Sequence, residues 1–161
     1  ANICRLLLQT PAFRRSISRT SALDDQLEAM AEQDMQQAAQ NGFPLTLRDG
    51  TAIDVAAIDN SYRRTTAFRV TAAEGGSYTL HGSAGAGCSC RAMPGNSPLA
   101  QIPVSVFAGR AFLKTMTITG AQTDWCDFTV SLPALNTGDE FFLRFYFGQS
   151  GMELGAVILK K

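Results

Sequence analysis

The stretch Glu140–Gly148, EFFLRFYFG, poses the structural question that decides how this chain folds. Side chains of a strand alternate between two faces, so Phe141, Leu143, Phe145 and Phe147 line one side while Phe142, Arg144 and Tyr146 line the other. The first set is a core face. The second is too aromatic for a plain solvated surface and too polar for a plain core. Its neighbour is therefore a ligand, a partner chain or another part of the same chain.

Outward from this strand the same period of two recurs. TTAFRVTA (65–72), SYTLHGSA (77–84), IPVSVFA (102–108), AFLKTMTIT (111–119), WCDFTVSL (125–132) and ELGAVIL (153–159) follow one another at short spacing. EGG, PGNSP, GR, GAQTD, PALNTGD and GQSG divide them. FPLTLR (43–48) and TAIDVAAI (51–58) flank Asp49-Gly50, the signature of a tight hairpin. Many short strands with almost no helix between them mean an all-β fold, an antiparallel sandwich or jelly roll.

The one helix is expected over residues 20–41. Ser21 is its candidate cap, Asp24 and Asp25 suit its first turn, and NGFP (41–44) stops it. Leu23, Leu27, Met30 and Ala31 share one face, so this amphipathic helix must lie on its own domain or on neighbouring copies. Before it, Arg5, Arg14, Arg15 and Arg19 precede the first acid, Asp24. The expected organisation is a basic arm with its helix over 1–41, an assembly element, followed by a β-domain over 42–161. Its acid-free opening has the composition of a transit peptide, but the reading adopted is an arm ordered by packing in a mature chain made in the cytoplasm.

The totals restrict function. At 161 residues the chain suits one domain with a sizeable core and an extension. Lys plus Arg equals Asp plus Glu at 14 each, so bulk charge gives no reason to bind nucleic acid or an anionic membrane, and neither is expected as a partner. ICRLLL is too short and too interrupted to span a bilayer. Cys4, Cys88, Cys90 and Cys126 come without a secretory signal, and with His81 they match no standard zinc spacing. Thiols without metal, and no cofactor, are the expectation.

The residues that could carry catalysis complete no motif. HGSAGAGCSC (81–90) lacks the Lys-Ser/Thr ending of a phosphate loop, and no helix pattern follows it to receive an anion. Ser83 and Ser89 sit in no nucleophile elbow. His81 beside Cys88 or Cys90 offers a base and a thiol, but nothing in the pattern orients them, and His81 reads as a structural strand residue. The acids form no recognisable pair. A non-catalytic protein is expected.

From about Arg69 onward, GGSYTLHGSA, then TITGAQTDWCDFTVSL, then FFLRFYFGQSGMELGAVIL resemble in order and spacing the β-jelly-roll carbohydrate-binding modules attached to polysaccharide-degrading enzymes. The resemblance spans roughly three-fifths of the chain and bears on fold more than on activity. Trp125, Phe128 and Val130 can supply large buried area, and Trp125 is read as a core anchor rather than a sugar-stacking platform. The Asp usual in the closing strand of such modules is replaced here by Gly155 and Ala156, so their structural calcium is not expected.

Two functional expectations follow from different features. The basic arm and helix lead to a structural or adhesive virion protein on the virion surface, a homo-oligomeric capsid decoration or tail-fibre component docked on capsid or tail proteins through Arg5, Arg14, Arg15 and Arg19. The resemblance leads to the alternative, a secreted carbohydrate-binding module of a polysaccharide-degrading system. Phe142, Arg144 and Tyr146 form the expected ligand or partner face in either reading, and a cell-surface or environmental glycan is the expected ligand.

Overall fold

A computed structural model describes residues 11–86, 101–119 and 124–161, with the side chains of 11–22 outside the description. The chain divides into two units, Ala1–Gln36 and Gln37–Lys161. Helix α1 runs Pro11–Asn41. It begins nine residues before the expected start, and Ser21 lies within it rather than capping it. Proline is favoured at a first helical position because its missing N–H is one the helix leaves unbonded there, and nothing between Pro11 and Ser21 breaks the helix. Its last turn closes with Gly42 donating its N–H to the Ala38 carbonyl at 2.8 Å, and Pro44, which cannot continue a helix, follows two residues on.

Among the described residues nine strands follow: β1 Phe43–Leu47, β2 Thr51–Ile53, β3 Arg64–Ala72, β4 Thr79–Ala86, β5 Gln101–Ala108, β6 Ala111–Thr119, β7 Cys126–Ser131, β8 Glu140–Phe147 and β9 Met152–Lys160. They form a five-stranded sheet, β1-β3-β8-β5-β6, and a four-stranded sheet, β2-β9-β4-β7. Every pairing of these strands is antiparallel except β1 with β3. The architecture is the expected all-β sandwich with an N-terminal helix.

The Asp49-Gly50 hairpin is a correction. A turn is present, with Gly50 at φ 78° and Thr51 N–H donating to Arg48 O at 3.2 Å. The flanking strands do not pair, however: β1 joins β3 in one sheet and β2 joins β9 in the other. Leu47 and Ile53 both point into the core, from opposite sheets. Local turn chemistry gives the reversal but not the ladder that each arm joins.

Alternation builds the core. Ile102, Val104 and Val106 on β5, and Leu143, Phe145 and Phe147 on β8, are fully buried, and they meet Leu80 of β4 with Val157 and Leu159 of β9. Each such side chain contributes about 1.5–3 kcal/mol by leaving water. Phe68 meets Phe145 edge to face at 6.2 Å between centroids. Tyr78 is buried with its hydroxyl donating to Glu74 O at 3.0 Å.

Candidate functional site

β8 sits between β3 and β5, and this placement determines what its second face meets. Arg144 stands opposite Ala67 on one side and Phe107 on the other. It is only 2% exposed. Its Nη2 donates to Gly109 O at 2.9 Å, and its guanidinium lies 5.0 Å over the Phe107 ring. Gly109 can present that carbonyl because β5 and β6 turn on a two-residue loop whose first position, Gly109, has φ 56°. Phe142 is half-buried, its ring edge beneath Gly42 at 3.5 Å from where a Cβ would stand. Tyr146 is half-buried between Thr65 and Ser105. Arg144 thus holds the chain's own β5–β6 turn.

Most of the other expected residues fall outside the description. Arg5 lies outside the described residues, and Arg14, Arg15 and Arg19 fall within α1 with their side chains undescribed. Cys4, Cys88 and Cys90 also lie outside the described residues, and Cys126 is exposed at the start of β7. Among the described residues no group of three His, Cys, Asp or Glu is placed to hold a metal, and no helix is long and apolar enough to cross a membrane.

A site that the sequence reading did not anticipate lies on the outer face of the four-stranded sheet. Trp125, read as a core anchor, is 54% exposed. It immediately precedes β7, opposite Gly85 of β4. A Cβ built on Gly85 would stand 3.3 Å from Cδ2, 3.3 Å from Cε3 and 3.6 Å from Cε2 of the indole. Near-equal distances to three bonded ring atoms place that glycine under the face of the ring, not at its edge. Gly155 of β9 lies under the same ring, its would-be Cβ 3.4 Å from Cζ3. The indole therefore rests across two strands on two residues with no side chain, its underside dry and its upper face open to water.

The sheet makes this seat by local irregularity. Gly82 pairs with Val157 and Ala84 with Leu154, so Gly155 and Ala156 together oppose the single residue Ser83. Such a bulge re-aims side chains on its strand. The bulge thus brings Gly155 beneath the tryptophan.

Polar side chains continue from the ring along the sheet in cross-strand rows. Glu153 pairs with Gly85, in the row of Trp125; Asp127 pairs with Ser83 in the next row; Thr129, His81 and Ile158 form the third. A shallow concavity of about 500 Å³ runs along the second and third rows, lined by His81, Ser83, Asp127, Thr129, Ile158 and Lys160, with Trp125 and Glu153 in the row beyond it. An apolar ring beside convergent hydroxyl and carboxylate groups, open along one side, suits a ligand with both an apolar face and many hydroxyls.

The glycine seat is directly testable. In Gly155→Leu the added side chain has no room, since its Cβ alone would already touch the indole at 3.4 Å and meet the Ser83 hydroxyl, so the ring must lift from β9. Acrylamide should then quench the single tryptophan more efficiently while the sandwich stays folded. Equal quenching in the parent and the variant would mean that the seat does not hold the ring.

No protein-family model matches the chain, and no curated protein matches it. Among solved structures, a β-glucosidase from Paenibacillus barengoltzii is similar over 74% of this chain at 18% identity and TM-score 0.46, the chain spanning 11% of that enzyme. A family 35 carbohydrate binding module from an environmental isolate is similar over 75% of this chain and 84% of its own length, at 14% identity and TM-score 0.45. A carbohydrate binding module from the lichenase 5A of Cellvibrio mixtus, solved with cellotriose, is similar over 63% of this chain and 72% of its own, at 12% identity and TM-score 0.41. At these values the fold assignment rests on the strand order itself, and no function transfers.

Proposed function

We propose that this chain is a non-catalytic carbohydrate-binding domain, with Trp125 as the stacking platform for a neutral saccharide on the outer four-stranded face. The observation that carries the reading is the half-exposed indole held flat over Gly85 and Gly155. A pyranose offers an apolar face of C–H groups to such a ring and hydroxyls at its rim. Asp127 and Glu153 accept from those hydroxyls, and Ser83 and Thr129 can donate or accept. Lys160 in the same concavity offsets Asp127, so the face carries no excess positive charge that would demand a uronate or sulfate, and a neutral sugar is the expected ligand. The face is an open sheet surface, which suits holding a chain rather than excluding water from a reaction.

The virion role and its capsid or tail partners draw no support from the described residues, since every arm residue named for it lies outside them or lacks a described side chain. Virion surface and secretion as locations stand as expectations of the sequence. Native electrophoresis of the full chain through gels containing neutral or anionic polysaccharides tests the proposal. Retardation by at least one neutral polymer is expected. Unretarded migration in all of them, or retardation by anionic polymers alone, would overturn it.

A further inference from the structure

The outer face of the four-stranded sheet has a direction as well as a platform. In the sheet order β4 lies between β9 and β7. Its outward positions are Gly85, Ser83 and His81, the first without a side chain and the second with a small one. Trp125, Asp127 and Thr129 stand along the β7 flank, and Ile158 and Lys160 along the β9 flank. Small residues between larger ones make a trough whose axis is the strand, and the concavity beyond the indole accordingly leads to His81 and Lys160. Across the sheet, the row of the ring ends at Glu153, since β2 pairs with β9 only over residues 157–159.

Successive rows lie two residues apart, a step of ~6.7 Å along the trough, and one pyranose of a linear chain is no longer than such a step. A monosaccharide on the indole therefore meets the first row alone. A second unit reaches Asp127 and Ser83. Only a third reaches Thr129, His81 and the half-buried Ile158, where an apolar patch again lies beside groups that donate and accept hydrogen bonds. We infer, building on the stacking role proposed for Trp125, that the ligand is a segment of a linear saccharide chain at least three units long, lying along β4 with its third unit held by Thr129 and His81. Affinity then rises with chain length, because each added unit brings new contacts without a second loss of translational freedom.

Calorimetry on the full chain, direct or by displacement, tests this with size-fractionated linear oligosaccharides of two to five units. They are prepared by partial hydrolysis of the neutral polysaccharide that most retards the protein in gels. Affinity should rise at least about tenfold from the disaccharide to the trisaccharide. Thr129→Ala and His81→Ala should each cut the ratio of trisaccharide to disaccharide affinity at least about threefold, whereas Trp125→Ala should weaken binding at every length. A general disturbance of the face would lower both affinities together and leave their ratio, so the ratio reports the third row. Full affinity already at the disaccharide, or an unchanged ratio in either third-row variant while Trp125→Ala still weakens binding, would overturn the inference and leave Trp125 as the platform. Binding that Trp125→Ala does not weaken at any length would overturn the inference together with the reading beneath it.

Discussion

Trp125→Ala should reduce saccharide affinity at least about tenfold, ~1.4 kcal/mol or more, and leave the fold intact. The two halves of this expectation have one structural cause. The ring covers Gly85 and Gly155 on its lower face but the residue is 54% exposed, so its removal takes away little core packing. Stability should change by no more than about 1 kcal/mol. The upper face is what a sugar would meet, and no nearby side chain replaces it: Glu153, Asp127 and Ser83 supply polar atoms only. Affinity gels and thermal melts on the same preparation separate the outcomes. Retained binding would remove Trp125 from the site, and a collapse in Tm would return it to a structural role.

Arg144→Ala should have the opposite profile, a large loss of stability with little direct effect at the saccharide face. The residue is 2% exposed, and its guanidinium donates to Gly109 O and lies over Phe107. Truncation leaves a void and takes a charge-assisted partner from the turn that joins β5 to β6, at a cost of about 2–4 kcal/mol. For a β-domain of this size that lowers Tm by roughly 10 °C. Arg144→Met keeps much of the packing and relieves the desolvated charge, so it should cost less than the alanine. An alanine variant within about 1 kcal/mol of the parent would mean that Arg144 does not fasten the β5–β6 turn.

The strands were legible because each writes its own alternation. IPVSVFA buries Ile102, Val104 and Val106, and AFLKTMTIT buries Met116 and Ile118 while exposing Thr115 and Thr117. The two misreadings of local structure arose where a short-range signal had two uses. Thr20, Ser21, Asp24 and Asp25 have the composition of a helix start, yet they lie inside a helix that begins at Pro11. Asp49-Gly50 makes its turn, but between sheets rather than within one.

The candidate site was less legible, for a physical reason. Gly85, Trp125 and Gly155 come from three separate stretches of chain and meet only after the four-stranded sheet has formed with its bulge opposite Ser83. In the sequence Gly85 belongs to a glycine-rich run, Gly155 reads as the loss of an acid, and a lone Trp before a strand reads as core. The glycines carry the signal through side chains they lack, and only packing shows which ring uses the space.

Because Trp125 is the only tryptophan in the chain, its emission reports on the proposed site alone. The most direct test is a fluorescence titration with neutral oligosaccharides drawn from the polysaccharides that retard the protein in gels. A saturable blue shift or quench is expected, with a midpoint equal to the Kd measured by calorimetry, since stacking a sugar on the open indole face removes water from it. Calorimetric binding of those oligosaccharides with no change in tryptophan emission at saturation would place the ligand elsewhere and contradict the account.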